Sequence, residues 1–294
     1  INATTTRNAT ESITEFTTFG YLVNQRIDWG SLFGVSGGVR VDYSSAFGAG
    51  SKPFTFPRGD AYFNFGDLIK SNTLSLLKLR AAYGKAGIQP GAYQRRNTLN
   101  SGLVGTSGTL FTKSTANNPD LEVQVSTEQE VGLDAGIRFK STWFSNLNFN
   151  VTYWDRSSKG VIYSLDVAPS TGTAAALNNA MDLDSKGIQF SIDADVYKSA
   201  NFNWKFGTRF GHQRSIVSKI YNGADLPLGT GGSGEFVLKE GESVGAFFGY
   251  KYLTSLDETN NAGVRYIPVA NVGNFEVVNG MVVNKTTKAI SFTT

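Results

Sequence analysis

The side chains able to do chemistry are few and scattered. His212 is the single histidine and cysteine is absent. A hydrolase triad or an imidazole metal site would have to be built around that one residue, and disulfides, zinc thiolate sites and thiol nucleophiles are excluded together. The glycine-rich run Gly229–Gly234 lacks the Gly-Lys-Ser/Thr ending that cradles phosphate and is expected to be a loop tip. Asp182 and Asp184 are hard oxygen donors, without the ligand series that a calcium loop supplies. Asp134, Asp193 and Asp195 share alternating segments with Arg138, Lys205 and Arg209. Two carboxylates on one strand face have the outline of a glycosidase pair, but no segment provides a substrate cleft, and a ladder of cross-strand ion pairs accounts for the same pattern. No catalytic residue, cofactor or metal is therefore expected. Tyr93, Phe111, Phe247, Phe248 and Tyr250 lie in polar segments and carry flat faces that stack on sugar rings or touch peptides, with loop packing as the competing explanation.

The elements that must position these groups are strands. Trp143, Ser145, Leu147, Phe149, Val151 and Tyr153 alternate with Asn146, Asn148, Asn150 and Thr152, the period-two pattern that puts successive side chains on opposite faces. Ile188, Phe190, Ile192, Ala194 and Val196 alternate with Gln189, Ser191, Asp193 and Asp195, and Phe202, Trp204, Phe206 and Phe210 with Asn203, Lys205 and Arg209. These last two runs are expected to pair as a hairpin. Upstream, Val131, Leu133, Ala135, Ile137 and Phe139 oppose Asp134, Arg138 and Lys140. Val35, Val39, Val41 and Tyr43 oppose Ser36, Arg40 and Asp42, and Leu77, Leu79, Ala81 and Tyr83 oppose Lys78 and Arg80. Each run is about nine to eleven residues, the length of a tilted strand that crosses a hydrocarbon layer and longer than the five or six usual in soluble sheets. Tyr43, Tyr83, Trp143, Tyr153, Trp154 and Tyr197 fall near run ends, where amphipathic rings suit a membrane interface.

Only 17% of residues are charged while 13% are aromatic and 33 are Gly, a composition that excludes disorder and favours β-structure. The 27 basic and 24 acidic residues form no basic run able to track a phosphate backbone, so nucleic acid is not an expected partner. No stretch approaches the roughly eighteen apolar residues of a spanning helix. The segments Ala86 to Glu122, Ala168 to Asp184 and Asn222 to Glu240 are rich in Gly, Ser, Thr and Asn and read as long loops. Barrels pair long loops at one rim with short turns at the other. No fixed-period repeat or interdomain linker is evident, so residues 1–294 read as one continuous sheet.

Several stretches resemble the SusC/RagA family of TonB-dependent outer-membrane transporters. They are Leu77–Gly91, Asn118–Gln124, Thr127–Gly136, Val151–Arg156, Val161–Ser164, Ser185–Phe190 and Gly241–Tyr250, in the family's order and covering most of Gly37 to Tyr250. Gln124 departs from the Glu that many relatives carry after the Asn-Pro-x-Leu turn. The resemblance implies an all-β fold, an antiparallel transmembrane β-barrel present in part. The family's wall has about twenty-two strands around a plug domain, so residues 1–294 would be a fragment of the barrel domain with long extracellular loops. Neither a plug-like segment nor a TonB-contacting box is evident, and Ser291–Thr294 does not read as a closing membrane strand.

Function follows from the resemblance as active import, in the outer membrane of a Gram-negative bacterium, of oligosaccharide or peptide nutrients. A SusD-like surface lipoprotein would deliver the cargo, and TonB would supply energy through segments outside this chain. The alternatives are a non-transporting scaffold within a larger outer-membrane complex and a soluble β-sandwich binding protein. In the barrel reading Asp134, Arg138, Asn148, Asn150, Asp193, Asp195, Lys205 and Arg209 line the lumen, Phe149 and Val151 meet lipid, and the loop aromatics are the candidate cargo contacts.

Overall fold

Apolar and polar residues alternate because one sheet face must differ from the other, and in the computed structural model they form eight long antiparallel strands. The structure describes residues 13–47, 52–69, 71–228 and 235–293. β1 (Thr18–Trp29), β2 (Phe33–Ser44), β3 (Phe54–Asn64) and β4 (Leu74–Ile88) are successive partners. A long connection then carries the hairpin of β5 (Leu99–Val104) and β6 (Ser107–Thr112), followed by the short β7 (Thr115–Ala116). The sheet resumes with β8 (Gln124–Arg138) against β4, then β9 (Trp143–Asp166), β10 (Ala175–Lys198) and β11 (Asn203–Ile220). The expected hairpin of residues 188–196 with 202–210 is the β10–β11 pair. Turns 30–32, 65–73, 139–142 and 199–202 share one rim, and connections 45–53, 89–123 and 167–174 share the other. β1 and β11 are the two ends of the strand order and do not pair with each other among the described residues.

Three local expectations need correction. The segment Ala168 to Asp184 is not a loop, because β9 runs to Asp166 and β10 starts at Ala175. Its polar residues continue the ladder beyond the apolar band, where both faces of a strand can be wet, and the Asn179 side chain bonds the carbonyls of Glu122 and Gly160. Strands are accordingly up to 24 residues long rather than about nine to eleven. β1 and β3 escaped the alternation rule for identifiable reasons. Leu22 sits on the polar face of β1 and Gln25 on its apolar face, while β3 places Phe54, Phe56 and a proline, Pro57, in its first turn of pattern.

The single continuous sheet comprises β1–β4 and β7–β11, with β5–β6 as a separate hairpin, and it does not continue beyond residue 220. The chain divides into Ile1–Ala224 with Glu240–Ser243, and Asp225–Lys239 with Val244–Thr294. In the second unit β12 (Leu226–Leu228), β13 (Glu235–Leu238) and β14 (Ala246–Phe248) form one small sheet, so the expected loop Asn222 to Glu240 holds two of its strands. Beyond Tyr250 no apolar run is long enough to cross a membrane, and the residues bury a core of their own, Leu253, Ile267 and Val282. The hairpin of β15 (Phe275–Val278) and β16 (Met281–Asn284) turns on Asn279 and Gly280, both at positive φ, as a two-residue turn that follows strand twist requires. Glu258 accepts the Thr254 N–H at 2.9 Å and the Lys251 ammonium at 3.3 Å, which hold its carboxyl below the usual carboxylate range. Gly229–Gly234 lies outside the described residues.

Candidate functional site

Residues directly opposite in adjacent strands share a face, so the register sorts every side chain. One face carries the rows Leu79–Leu133–Val151–Phe190–Phe210 and Leu77–Ala135–Phe149–Ile192–Thr208. Above them lie Ala81, Val131, Tyr153, Ile188 and His212, and below them Ile137, Leu147, Ala194 and Phe206. At the rim of short turns Trp143, Tyr197 and Phe202 stack edge to tilted, with Trp143–Tyr197 centroids 4.8 Å apart. Trp143 and Tyr153 are ten residues apart on β9, about 33 Å along the strand and roughly 25 Å along a barrel axis at the usual tilt. That matches the apolar band of a membrane barrel.

On β8 and β9 the apolar face is open to solvent. Val131, Tyr153 and Phe149 on the apolar face are 53, 49 and 36% exposed, while Thr152 and Trp154 on the polar face are each 8% exposed. A water-soluble sheet buries its apolar side. His212 sits on the apolar face opposite Ile188, away from any carboxylate cluster.

The polar face brings the predicted residues together. Asp134 stands opposite Asn150, which donates its side-chain amide to it, and Arg80 Nε lies 3.4 Å from the same carboxylate. Arg80 also donates to the Thr152 hydroxyl, crossing Gly132, its direct partner on β8. Asn148 is opposite Asp193, which pairs with Arg209 at 3.0 Å, and Asp195 pairs with Lys205 at 3.8 Å. Arg138 faces Asn146. Sequence reasoning missed how far this network extends. Arg26 holds Asp28 at 2.8 Å, Tyr62 donates to Asp28 at 3.1 Å, and Ser36 donates to Asp60. Lys78 lies 4.2 Å from the Tyr62 ring centre. The signal for these lies in the polar half of each alternating run, which Leu22 and Gln25 interrupt on β1 and Phe56 on β3. The charges of Asp134, Asp193 and Asp195 are compensated within the wall, while Glu128 and Glu130 line a cavity together with Arg58 and Arg156.

The loop aromatics fall in both units. Tyr93, at positive φ, sits in a turn whose carbonyl accepts from Asn117. Phe111 on β6 faces Asn100. In the second unit Phe247 packs edge-on against Phe236 at 6.0 Å and Tyr250 is exposed. The Phe248 side chain lies outside the described part. Asp182 accepts from the Gly160 N–H at 2.8 Å and the Tyr221 hydroxyl at 3.0 Å, a structural use of its carboxylate.

A long-stranded antiparallel sheet with one apolar and one ion-paired face is the wall of a β-barrel. This chain belongs to the TonB-dependent receptor family, whose barrel model, described as TonB dependent receptor-like, beta-barrel, matches residues 1–289. Two TonB-dependent receptors of Formosa agariphila are 28% identical over 254 residues and 27% over 230, covering 82 and 73% of this chain but 25 and 22% of their own length. The chain thus spans about a quarter of these relatives. Among solved structures, the RagAB peptide importer in a closed-closed state aligns with TM-score 0.70 at 17% identity over 92% of this chain and 30% of that one. The RagAB peptide transporter aligns with TM-score 0.68 at 20% identity over 82% and 26%. These likenesses are in fold, and they agree with the SusC/RagA resemblance read from the sequence.

Proposed function

We propose that this chain is a section of the wall of an outer-membrane, TonB-dependent nutrient importer, with its apolar face against lipid and its polar face lining the lumen. The exposed apolar face carries this reading, since display of Tyr153, Val131 and Phe149 suits a protein whose outer solvent is hydrocarbon. The rim of long connections is then extracellular, and Ala86 to Glu122 lies there. Oligosaccharides or peptides are the cargo class, and the fold shared with a peptide importer supports peptides among them. A SusD-like lipoprotein delivers the cargo, with Tyr93, Phe111, Phe247, Phe248 and Tyr250 as candidate contacts. TonB acts through parts of the longer protein that this quarter does not span.

The test compares Val151→Arg with Asn150→Arg in the full-length protein. The first puts a charge against hydrocarbon, costing about 2–4 kcal/mol near the midplane. The second adds a cation beside Asp134 in a watery interior and costs much less. The heat-resistant folded fraction in bilayers, read by gel mobility, should fall for Val151→Arg only. Equal losses, or a larger loss for Asn150→Arg, would reverse the face assignment.

A further inference from the structure

We propose that the outward face of β10 and β11, one row beyond Tyr153, binds the phosphorylated headgroup of an outer-leaflet lipid, with Lys186 and Arg214 as its cationic contacts. The inference rests on the assignment of the apolar face to lipid. On that face the rows through β9, β10 and β11 described above hold no Asp, Glu, Lys or Arg up to Tyr153–Ile188–His212, and the next row is Asp155–Lys186–Arg214, the first to carry several charges. A step of two residues places it about 5 Å higher along a tilted strand, within the headgroup layer.

Lys186 and Arg214 are directly opposite one another and both are exposed. Side chains so placed have Cβ atoms about 5 Å apart, and like charges there repel. Neither cation forms an ion pair among the described residues, although Asp155 stands opposite Lys186. The contrast with the polar face is sharp, where Asp134, Asp193, Asp195 and Glu128 each hold a cation. The order of the row puts Asp155 on the far side of Lys186 from Arg214, so the space between the two cations faces away from that carboxylate. Asp184 lies one row higher on β10, opposite Ser157 and Ile216. A phosphate between the cations removes their repulsion, with the guanidinium offering a two-pronged donor and the ammonium a point charge. The acyl chains below it would run along Ile188 and Phe190.

The experiment uses the full-length protein in phosphatidylcholine nanodiscs that contain either a bisphosphorylated glucosamine disaccharide lipid or its dephosphorylated counterpart. Lipid retained through native mass spectrometry is counted for the unaltered protein, Lys186→Gln, Arg214→Gln and the double variant. Both sites are exposed, and folding is checked by heat resistance, with the single variants standing in if the double one folds poorly. The unaltered protein should retain the phosphorylated lipid preferentially. Retention should drop roughly fivefold per cation removed and about thirtyfold for both, with the preference for phosphate lost, while Asp155→Asn should raise retention. Equal retention of the two lipids by unaltered protein, or undiminished retention by the double variant, would overturn the proposal. Full displacement by millimolar inorganic phosphate would overturn it too, as the site would then take the free ion. If the face assignment itself were wrong, Val151→Arg would fold as well as Asn150→Arg, a result independent of these lipid counts.

Discussion

Gly132 stands directly between Arg80 and Thr152 in three adjacent strands, and its lack of a side chain lets the guanidinium lie flat across β8. A Cβ at this position would sit 2.6 to 2.9 Å from the guanidinium atoms. A Gly132→Ala change should therefore lift Arg80 away, freeing Asp134 and leaving the buried Thr152 hydroxyl without its donor. The expected cost is about 1–3 kcal/mol, that of an unsatisfied buried polar group. Chemical denaturation of the full-length protein in detergent should show the loss, and Gly84→Ala, where an added Cβ meets nothing within 4 Å, supplies the comparison. Equal stability of the two variants would mean that Arg80 does not need the space. The same reasoning explains why the carboxylates here are structural. Each predicted aspartate of this face is already matched by a cation or an amide from a neighbouring strand.

At the level of elements, the long connection between β4 and β8 is tied to the extension of β10. Asn179 accepts the Glu122 N–H at 2.8 Å and returns its amide to the Glu122 carbonyl at 3.0 Å, the exchange a strand neighbour would make. Asn118 bonds Asn178 at 3.0 Å, and β7 pairs with Ala175–Ala176. Leu121 is fully buried beneath these contacts. An Asn179→Ala change removes both bonds to Glu122 together with the one to the Gly160 carbonyl, so hydrogen exchange across residues 113–123 should speed up, while β8, and β9 away from Gly160, keep their protection. The local loss is expected to be about 1–3 kcal/mol. Unchanged protection would show that Leu121 burial alone holds the segment. The β5–β6 hairpin beyond this tie is held at the end of β6, where the Thr112 hydroxyl donates to the Gly172 carbonyl at 2.9 Å, and displays Leu103 and Leu110 to solvent.

For the whole molecule, the strand order ends at β1 and β11, and among the described residues the outer edge of β11 is covered only near Val217, which exchanges backbone bonds with Gly241 and Glu242. Unpaired backbone groups at a lipid-facing edge cost several kcal/mol apiece, so this wall is stable in a membrane only when both edges are covered. Residues 1–294 expressed alone and refolded into bilayers should give no heat-resistant monomeric band, whereas the full-length protein should give one. A compact heat-resistant monomer from these residues would mean that β1 and β11 pair and that the section closes as a small barrel.

Much of this was legible without coordinates. Period-two alternation is a local property, set by where the backbone points consecutive side chains, so the faces of Trp143–Trp154 and its neighbours could be assigned from the chain alone, as could the antiparallel meander and the family. The partners on those faces could not. Arg80 meets Asp134 and Thr152 across separations of 54 and 72 residues, and Glu122 meets Asn179 across 57. Such meetings depend on register, which is fixed by all the pairings together. β1 and β3 were hidden because Leu22, Gln25 and Phe56 break the alternation, and only neighbouring strands hold those segments extended. The polar ends of β9 and β10 read as loop because, beyond the lipid band, nothing in side-chain chemistry distinguishes a strand wet on both faces from a coil. The second unit was decided by tertiary packing as well, since Leu253, Ile267 and Val282 become a core only when the chain folds back to bring them together.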